Sequence, residues 1–193
     1  MTTETVAAVL PAPGRFGKLR YLFLSLAVIV FDQWTKWMIE LHLPFHASQP
    51  IVPKFLHFTH VRNTGVAFGL FASDGGRGSW VLVLLGIVAL AAVALYFRFT
   101  PSHDRFLLTA LALVVGGAVG NLIDRTTAGA VTDFLDVFVG AHHWPAFNVA
   151  DCAISVGIAL MLLDSFRSRK EPAAAAESAP RVGRAGEDGA QSV

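Results

Sequence analysis

An uncharged, largely apolar run that begins at Phe106 ends in the segment Gly116-Gly117-Ala118-Val119-Gly120-Asn121-Leu122-Ile123-Asp124-Arg125. Polar and ionisable side chains at the end of a membrane-length segment are costly to place, so they are candidates for a functional role. A second segment, Phe147-Asn148-Val149-Ala150-Asp151, opens the last apolar stretch with the same Asn-x-x-Asp spacing. Because residues three apart share a face of a helix, each helix presents an Asn and an Asp together.

The direction of the two helices determines whether the two aspartates meet. If the helices are antiparallel, Asp124 ends one helix, Asp151 begins the other, and both lie at the same depth in the membrane. Two carboxylates in contact cannot both ionise cheaply, so such a pair titrates in two separated steps. One member can then act as a base and the other as an acid, as amide hydrolysis requires. The alternative is that both are helix-end charges facing water or lipid headgroups.

The composition is that of a membrane protein. The 193 residues are 54% hydrophobic and 15% charged, with a mean hydropathy of +0.55, whereas a soluble domain has about 25% charged residues. The length fits one compact domain. The formal net charge of +1 provides no clustered basic face, so we expect no nucleic-acid partner. Cys152 is the only cysteine, which excludes an intrachain disulfide.

Four apolar segments are each close to the roughly 20 residues that cross a bilayer. They predict an all-α membrane protein whose spans are about 20–43, 80–97, 106–124 and 148–166, within a membrane domain of residues 20–167. The start of the first span resembles a secretory signal peptide, but no small-x-small cleavage site follows, so we expect it to be retained. Residues 1–19 are predicted to be a flexible cytoplasmic arm. The composition of residues 168–193 predicts a disordered tail.

Two outer segments have patterns of their own. Residues 55–62 are rich in β-branched and aromatic side chains and predict a strand, and Asn63-Thr64-Gly65 predicts a turn. The Gly-rich residues 73–79, next to the apolar residues 68–71, predict a mobile flap on a flexible hinge. Residues 131–138 combine strand and interfacial-helix signals, and both interpretations remain open.

Several polar residues in the spans have structural alternatives to a functional role. Asp32 and Lys36 are four apart and can form an ion pair on one face of the first span, which is more typical of structure than of catalysis. Asn121 and Asn148 could orient the carboxylates or hydrogen-bond between helices. Gly116-x-x-x-Gly120 is typical of close helix packing.

The outer histidines and the cysteine do not predict a reactive centre. The histidines have neither helical metal-ligand spacing nor the zinc-protease motif, so we expect no metal. They are His57, His60, His142 and His143. Cys152 has no obvious base partner and is better explained as a small packed thiol.

Two other classes of function must be weighed against a hydrolase. Intramembrane Asp and Lys residues also serve as relays in small proton- or ion-coupled transporters. Transporters usually have internal repeats and interrupted helices near the midplane, whereas this sequence has no repeat and its aspartates lie at a membrane edge. A non-catalytic membrane assembly factor would use the outer loop as a binding surface, but it leaves the matched Asn-x-x-Asp spacing unexplained.

Five segments in order resemble the lipoprotein signal peptidase family, also called signal peptidase II. They are Asp32-Gln33-Trp34-Thr35-Lys36, Asn63-Thr64-Gly65-Val66-Ala67-Phe68, Gly116 through Arg125, Val131-Thr132-Asp133-Phe134 and Phe147-Asn148-Val149-Ala150-Asp151. Each motif is weak alone, but five in order across residues 32–151 are specific. The resemblance implies four transmembrane helices with a small extracytoplasmic β-cradle, a periplasmic helix and a loop or flap.

The resemblance also implies an activity and a site. Asp124 and Asp151 would be the catalytic dyad. Binding or supporting residues would be Asn63, Gly65, Asn121, Arg125, Asn148, Asp32, Lys36 and Asp133. The implied substrate is a prolipoprotein whose cysteine carries diacylglycerol, cleaved on the N-terminal side of that cysteine in contact with membrane lipid. Inhibition by globomycin-type cyclic peptides is expected, with neither a metal nor an organic cofactor. The implied location is the bacterial inner membrane, with the active site at its outer face.

The distribution of Lys and Arg predicts the topology. Eight of these residues lie before the first span, between the second and third, or just after the fourth, against three in the two other loops. Since Lys and Arg accumulate on the cytoplasmic side, both termini should be cytoplasmic. Reporter fusions after Lys170 and within residues 98–105 should report cytoplasm, and fusions near Ser73 and Ala141 the outside. A cytoplasmic signal at Ala141 would contradict a shared depth for the two aspartates.

Overall fold

A computed structural model describes residues 15–65 and 77–177, with side chains for 17–65 and 80–166. Within these residues a 3-10 turn, Arg15–Lys18, leads into the first of four helices. The helices are α1 (Leu19–His42), α2 (Arg77–Phe99), α3 (Arg105–Thr127) and α4 (Val149–Glu177). Each contains a segment long and apolar enough to cross a membrane, as the sequence predicts.

A small antiparallel sheet lies beyond the ends of α1 and α3. Its strands are β1 (Ser48–Val52), β2 (Leu56–Asn63), β3 (Val131–Val139) and β4 (His142–His143), in the order β1-β2-β3-β4. The predicted strand at 55–62 is confirmed as β2. The segment at 131–138, for which strand and helix were both open, is a strand. Pairing of β2 with β3, from Leu56 opposite Val137 to Asn63 opposite Val131, joins the α1–α2 connection and the α3–α4 connection into one surface.

The structure changes two predicted boundaries. Arg77, Gly78 and Ser79, expected in the flexible hinge, form the first turn of α2. α4 continues to Glu177, into the tail that was expected to lack structure. This extension includes Pro172, which is unfavourable inside a helix, followed by four alanines, the strongest helix formers. The apolar flap residues 68–71 and most of the hinge lie outside the described residues, as do residues 1–14 and 178–193.

α3 is the central helix of the bundle. Half of its membrane span is buried inside the protein, against 6% for α2, and Leu108, Leu111 and Ala112 are fully buried. Large apolar side chains on the outer faces of the other helices are exposed, including Phe23 and Leu84. Lipid tails can cover such faces without the cost that water would impose.

Small residues on α3 set the distance to its neighbours. A Cβ on Gly116 would come within 2.9 Å of the Ser25 carbonyl of α1. A Cβ on Gly117 would overlap the Ala150 carbonyl oxygen of α4, and one on Gly120 would lie 2.6 Å from the Asp32 carboxylate. The glycine pattern is therefore the packing seam that the sequence indicates, and it brings α1 and α4 against α3 where the polar residues lie.

We expect Gly117→Ala to destabilise the protein, because the new methyl group collides with the backbone of α4. Overpacking of this kind costs about 1–3 kcal/mol, against the roughly 1 kcal/mol that Ala gains over Gly in helix propensity. Thermal unfolding in detergent measures the difference. Gly86→Ala is the matched control, since the nearest atom to its added Cβ is a Leu122 methyl at 3.7 Å. Equal melting temperatures for the two variants would contradict the tight seam.

Candidate active site

The first turn of α4 is closed by a reciprocal pair of hydrogen bonds. The Asp151 backbone N–H donates to Asn148 Oδ1 at 3.0 Å, and the Asn148 backbone N–H donates to Asp151 Oδ2 at 3.2 Å. This is a capping box with Asn as the N-cap and Asp three residues later. The Asn-x-x-Asp spacing at 148–151 therefore has a local structural cause, and it fixes the Asp151 side chain at the helix start.

Asp32 of α1 satisfies a further free donor of the same turn. The Ala150 backbone N–H donates to Asp32 Oδ1 at 2.8 Å, and the Asp32 side chain is fully buried. The first N–H groups of a helix have no partner within the helix and carry partial positive charge, so they stabilise a carboxylate. Asp32 therefore ties α1 to the start of α4.

Lys36 joins α1 to α3. Its ammonium group is 2.7 Å from Asp32 Oδ2, 2.8 Å from Asp124 Oδ2 and 3.0 Å from Asn121 Oδ1. The Lys36 side chain is almost fully buried, as are its three partners. A buried cation needs paired charge and hydrogen bonds to offset its lost hydration. The Asp32–Lys36 ion pair that the spacing predicts is thus one part of a larger cluster.

Asn121 links the two aspartates at the membrane edge. Its Nδ2 group donates to Asp151 Oδ1 at 2.7 Å, while its Oδ1 atom accepts from Lys36, which also contacts Asp124. Asp124 Oδ1 accepts from Gln33 Nε2 at 2.7 Å. The two carboxylates are therefore held on one hydrogen-bonded network contributed by α1, α3 and α4.

Asp133 of β3 extends this network into the sheet. Its Oδ1 atom accepts from Asn148 Nδ2 at 2.7 Å, and its Oδ2 atom accepts from Asn63 Nδ2 at 3.0 Å. Burial raises the pKa of Asp133 to about 6, because desolvation outweighs the hydrogen bonds and the nearby negative charge of Asp151 adds to it. Asn63 Oδ1 also accepts from the Gly65 backbone N–H at 3.2 Å, closing a local turn.

Arg125 differs from the other candidates. Its guanidinium donates to the Asn121 carbonyl oxygen of its own helix at 3.4 Å. Among the ion pairs of the described residues, none involves Arg125. Its position next to Asp124 leaves it beside the network without a carboxylate partner in it.

Three residues of the site were not singled out from the sequence. Gln33 contacts Asp124, and Thr132 donates from Oγ1 to Glu40 Oε1 at 2.6 Å. Gln33 carries the signal that could have identified it, because it is an amide inside an apolar span beside Asp32. Glu40 follows Lys36 by four residues and so shares its helix face.

A polar pocket of about 230 Å³ opens at Asp124. Most of its lining residues come from three parts of the fold. Those from α1 are Gln33, Lys36, Trp37 and Glu40, those from α3 are Asp124 and Thr127, and those from the sheet are Arg62 and Thr132. Asp124 is therefore a buried, hydrogen-bonded carboxylate that lines a polar pocket near the end of α3.

Comparison with known proteins identifies the class. The family model described as Signal peptidase (SPase) II matches residues 24–167. The chain belongs to this family. It is 42% identical to the lipoprotein signal peptidase of Pseudomonas putida over 161 residues, which cover 83% of this chain and 94% of that protein. It is 46% identical to the lipoprotein signal peptidase of Geobacter metallireducens over 143 residues, which cover 74% of this chain and 87% of that protein. The peptidase class is therefore favoured over the transporter.

Solved structures share the fold. One, described as a bacterial membrane enzyme structure by the in meso method at 2.3 Å resolution, superposes with a TM-score of 0.70 at 29% identity and covers 79% of this chain and 90% of that chain. A second, described in the same words at 1.9 Å resolution, has a TM-score of 0.66 at 30% identity. It covers 75% of this chain and 91% of that chain. These matches support the four-helix architecture with its small sheet in a bacterial multi-pass membrane protein.

The raised pKa of Asp133 predicts a pH dependence of stability. The folded protein holds this proton up to about pH 6, whereas an unperturbed Asp loses it near pH 3.8. Between these values the folded state binds more protons, so its stability should fall as pH rises, by at most about 1.4 kcal/mol per pH unit. The stability of the wild type relative to Asp133→Asn should therefore decline from pH 4 to 6 and stay constant above.

Melting temperatures in detergent across this range test the effect. Asp136→Asn is the control, because Asp136 lies on the same strand but contacts His143 near the surface. Parallel curves for the wild type and Asp133→Asn would show that Asp133 does not titrate in this window.

Proposed function

We propose that this peptidase is an aspartic endopeptidase that removes the signal peptide from diacylglyceryl-modified prolipoproteins, with Asp124 and Asp151 as the catalytic pair. One observation carries the proposal. Two aspartates from the ends of different spans share one network through Asn121, and a polar pocket opens at Asp124. The relatives named lipoprotein signal peptidase supply the substrate class.

The chemistry is hydrolysis by an activated water. The ionised carboxylate takes a proton from water as it attacks the scissile carbonyl, and the protonated carboxyl donates a proton to the carbonyl oxygen. When the tetrahedral intermediate collapses, a proton passes to the leaving amine and the C–N bond breaks. Each carboxylate thus needs a fixed orientation. Gln33 and Lys36 hold Asp124, and Asn121 with the Asn148 backbone holds Asp151.

The depth of the site fits a lipid-anchored substrate. Diacylglycerol on a cysteine keeps the neighbouring peptide bond near the headgroups, so the cutting residues must lie near the end of a span. Asp124 lies in the last turn of α3, and Asp151 in the first turn of α4. We infer cleavage on the N-terminal side of the lipidated cysteine at the outer face, with the acyl chains remaining in membrane lipid. Globomycin-type cyclic peptides are expected to compete for this site.

The other network residues have supporting roles in this proposal. Asn148 and Asn63 bridge Asp133 to the start of α4 and hold the sheet against the pair. Asp32 and Lys36 fix α1, and Gly65 shapes the turn after β2. Arg125 lies beside Asp124 as a cation available to the substrate.

Asp124→Asn and Asp151→Asn should each abolish cleavage, because the amide keeps the shape of the side chain but cannot exchange a proton. Since the two carboxylates act as a unit, the double variant should be little worse than either single one. The measurement is gel-based cleavage of a lipidated prolipoprotein by purified protein, with a pH series that should be bell-shaped.

Asp136→Asn is the control for this experiment, being a carboxylate of the sheet outside the network. It should retain nearly normal cleavage. If either dyad variant folds and still cleaves at a near-normal rate, the aspartic mechanism is wrong. If the wild type fails to cleave any lipidated prolipoprotein, the substrate assignment fails.

A further inference from the structure

A second pocket continues outward from the one that contains Asp124. It has a volume of about 340 Å³ and is lined by Glu40, Phe45, His60 and Arg62. Glu40 and Arg62 also line the first pocket, so the two pockets meet at these side chains. We call the second pocket the outer groove. A path therefore runs from Asp124 along α1 to the surface of the sheet beyond the end of that helix.

The direction of the path follows from positions on α1. Lys36 contacts Asp124, and Glu40 lies about one helical turn further along α1. The helix ends at His42, and Phe45 lies three residues beyond that end. At 1.5 Å per residue, the rise from Lys36 to His42 is about 9 Å. An extended polypeptide advances roughly 3.3 Å per residue. The path therefore has room for about three residues of extended chain.

The groove has a polar lower part. Glu40 is held by the hydroxyl of Thr132, and Glu40 and Arg62 both line each of the two pockets. None of the ion pairs found within the described residues involves Arg62. An exposed guanidinium beside a pocket can donate two hydrogen bonds at once to a carboxylate, or one to a carbonyl oxygen.

The groove ends in a less polar wall made of two rings. Phe45 and His60 make an edge-to-face contact with ring centroids 5.4 Å apart. His60 is buried, and its Nδ1 atom donates to the Leu43 carbonyl oxygen at 2.8 Å. This bond fixes the imidazole ring, so the wall is a preformed part of the site.

We infer that the outer groove binds the first residues of the substrate that follow the lipidated cysteine, in extended form, and that Arg62 favours an acidic side chain among them. This inference rests on the proposed function. The part before the scissile bond is an apolar signal peptide that belongs in the membrane, whereas the part after the cysteine must leave it. The path starts at Asp124 and leads along α1 into the outer groove, where Arg62 has no ion-pair partner among the residues that the structure describes.

Three substrates test this inference. They share one signal peptide and one diacylglyceryl-cysteine, and the two residues after the cysteine are Asp-Asp, Ser-Ser or Lys-Lys. For the wild type, kcat/KM should be highest for Asp-Asp and lowest for Lys-Lys. Arg62→Glu should reverse this order, changing the Asp-Asp to Lys-Lys ratio by at least about tenfold, as charge complementarity at a binding site predicts.

Lys54→Glu is the matched control. It makes the same change of charge at an exposed residue between β1 and β2 that does not line either pocket, so the ratio should stay at the wild-type value. An unchanged ratio in Arg62→Glu would overturn the inference. An equal loss on all three substrates would also overturn it, because it would assign Arg62 to a lipid headgroup or to the scaffold.

A second measurement covers the case in which Arg62→Glu does not fold. The second probe is a substrate with a photoreactive benzophenone side chain three residues after its cysteine. With Asp124→Asn protein, it should crosslink to residues 45–60, which include Phe45 and His60. Crosslinking only to other segments would contradict the groove assignment. Failure of the wild type to cleave any of the three substrates would count against the proposed function, whereas cleavage without charge preference would count only against the groove.

Discussion

The position of one ammonium group, that of Lys36, organises the polar part of this molecule. A charged amine inside a membrane-spanning helix is stable only if it is paired, and Asp32, Asp124 and Asn121 all bind it within 3.0 Å. Two of these partners lie on α3, so the pairing fixes the rotation of α1 against α3. Gly120 makes the contact possible, since any larger residue there would displace the Asp32 carboxylate.

The same constraint reaches α4 and the sheet. Asp32 binds the N–H of Ala150, so the carboxylate that pairs with Lys36 also holds the first turn of α4, where Asn148 and Asp151 cap each other. Asn148 in turn binds Asp133 of β3. A chain of direct contacts thus leads from α1 to the start of α4 and to the sheet, and both aspartates of the proposed catalytic pair lie on it. The side chains of the site are thus held together by buried charges that would be costly to leave unpaired.

The sequence predicts most of this fold because membrane spans and strands leave strong periodic and compositional patterns. The four spans and strand β2 could be placed, and the polar residues of α3 and α4 identified the network. The roles of Gln33, Glu40 and Thr132 could not, because each depends on contacts between elements far apart in the chain. The matched Asn-x-x-Asp spacings also have different causes. Residues 148–151 form a helix cap, while Asn121 and Asp124 lie on one face of a continuous helix, and only the three-dimensional contacts distinguish them.

The central claim is that Lys36 couples α1 to α3 through Asp32 and Asp124, and a double-mutant cycle measures that coupling most directly. The free energy of unfolding is compared for the wild type, Lys36→Met, Asp32→Asn with Asp124→Asn, and all three changes together. Removing Lys36 alone leaves two carboxylates buried without their cation, so it should cost about 3–5 kcal/mol. In the variant that lacks both carboxylates, Lys36→Met should lower the free energy of unfolding only a little, or raise it. Equal costs in the two backgrounds would show that the helices are held by packing alone and would contradict the account.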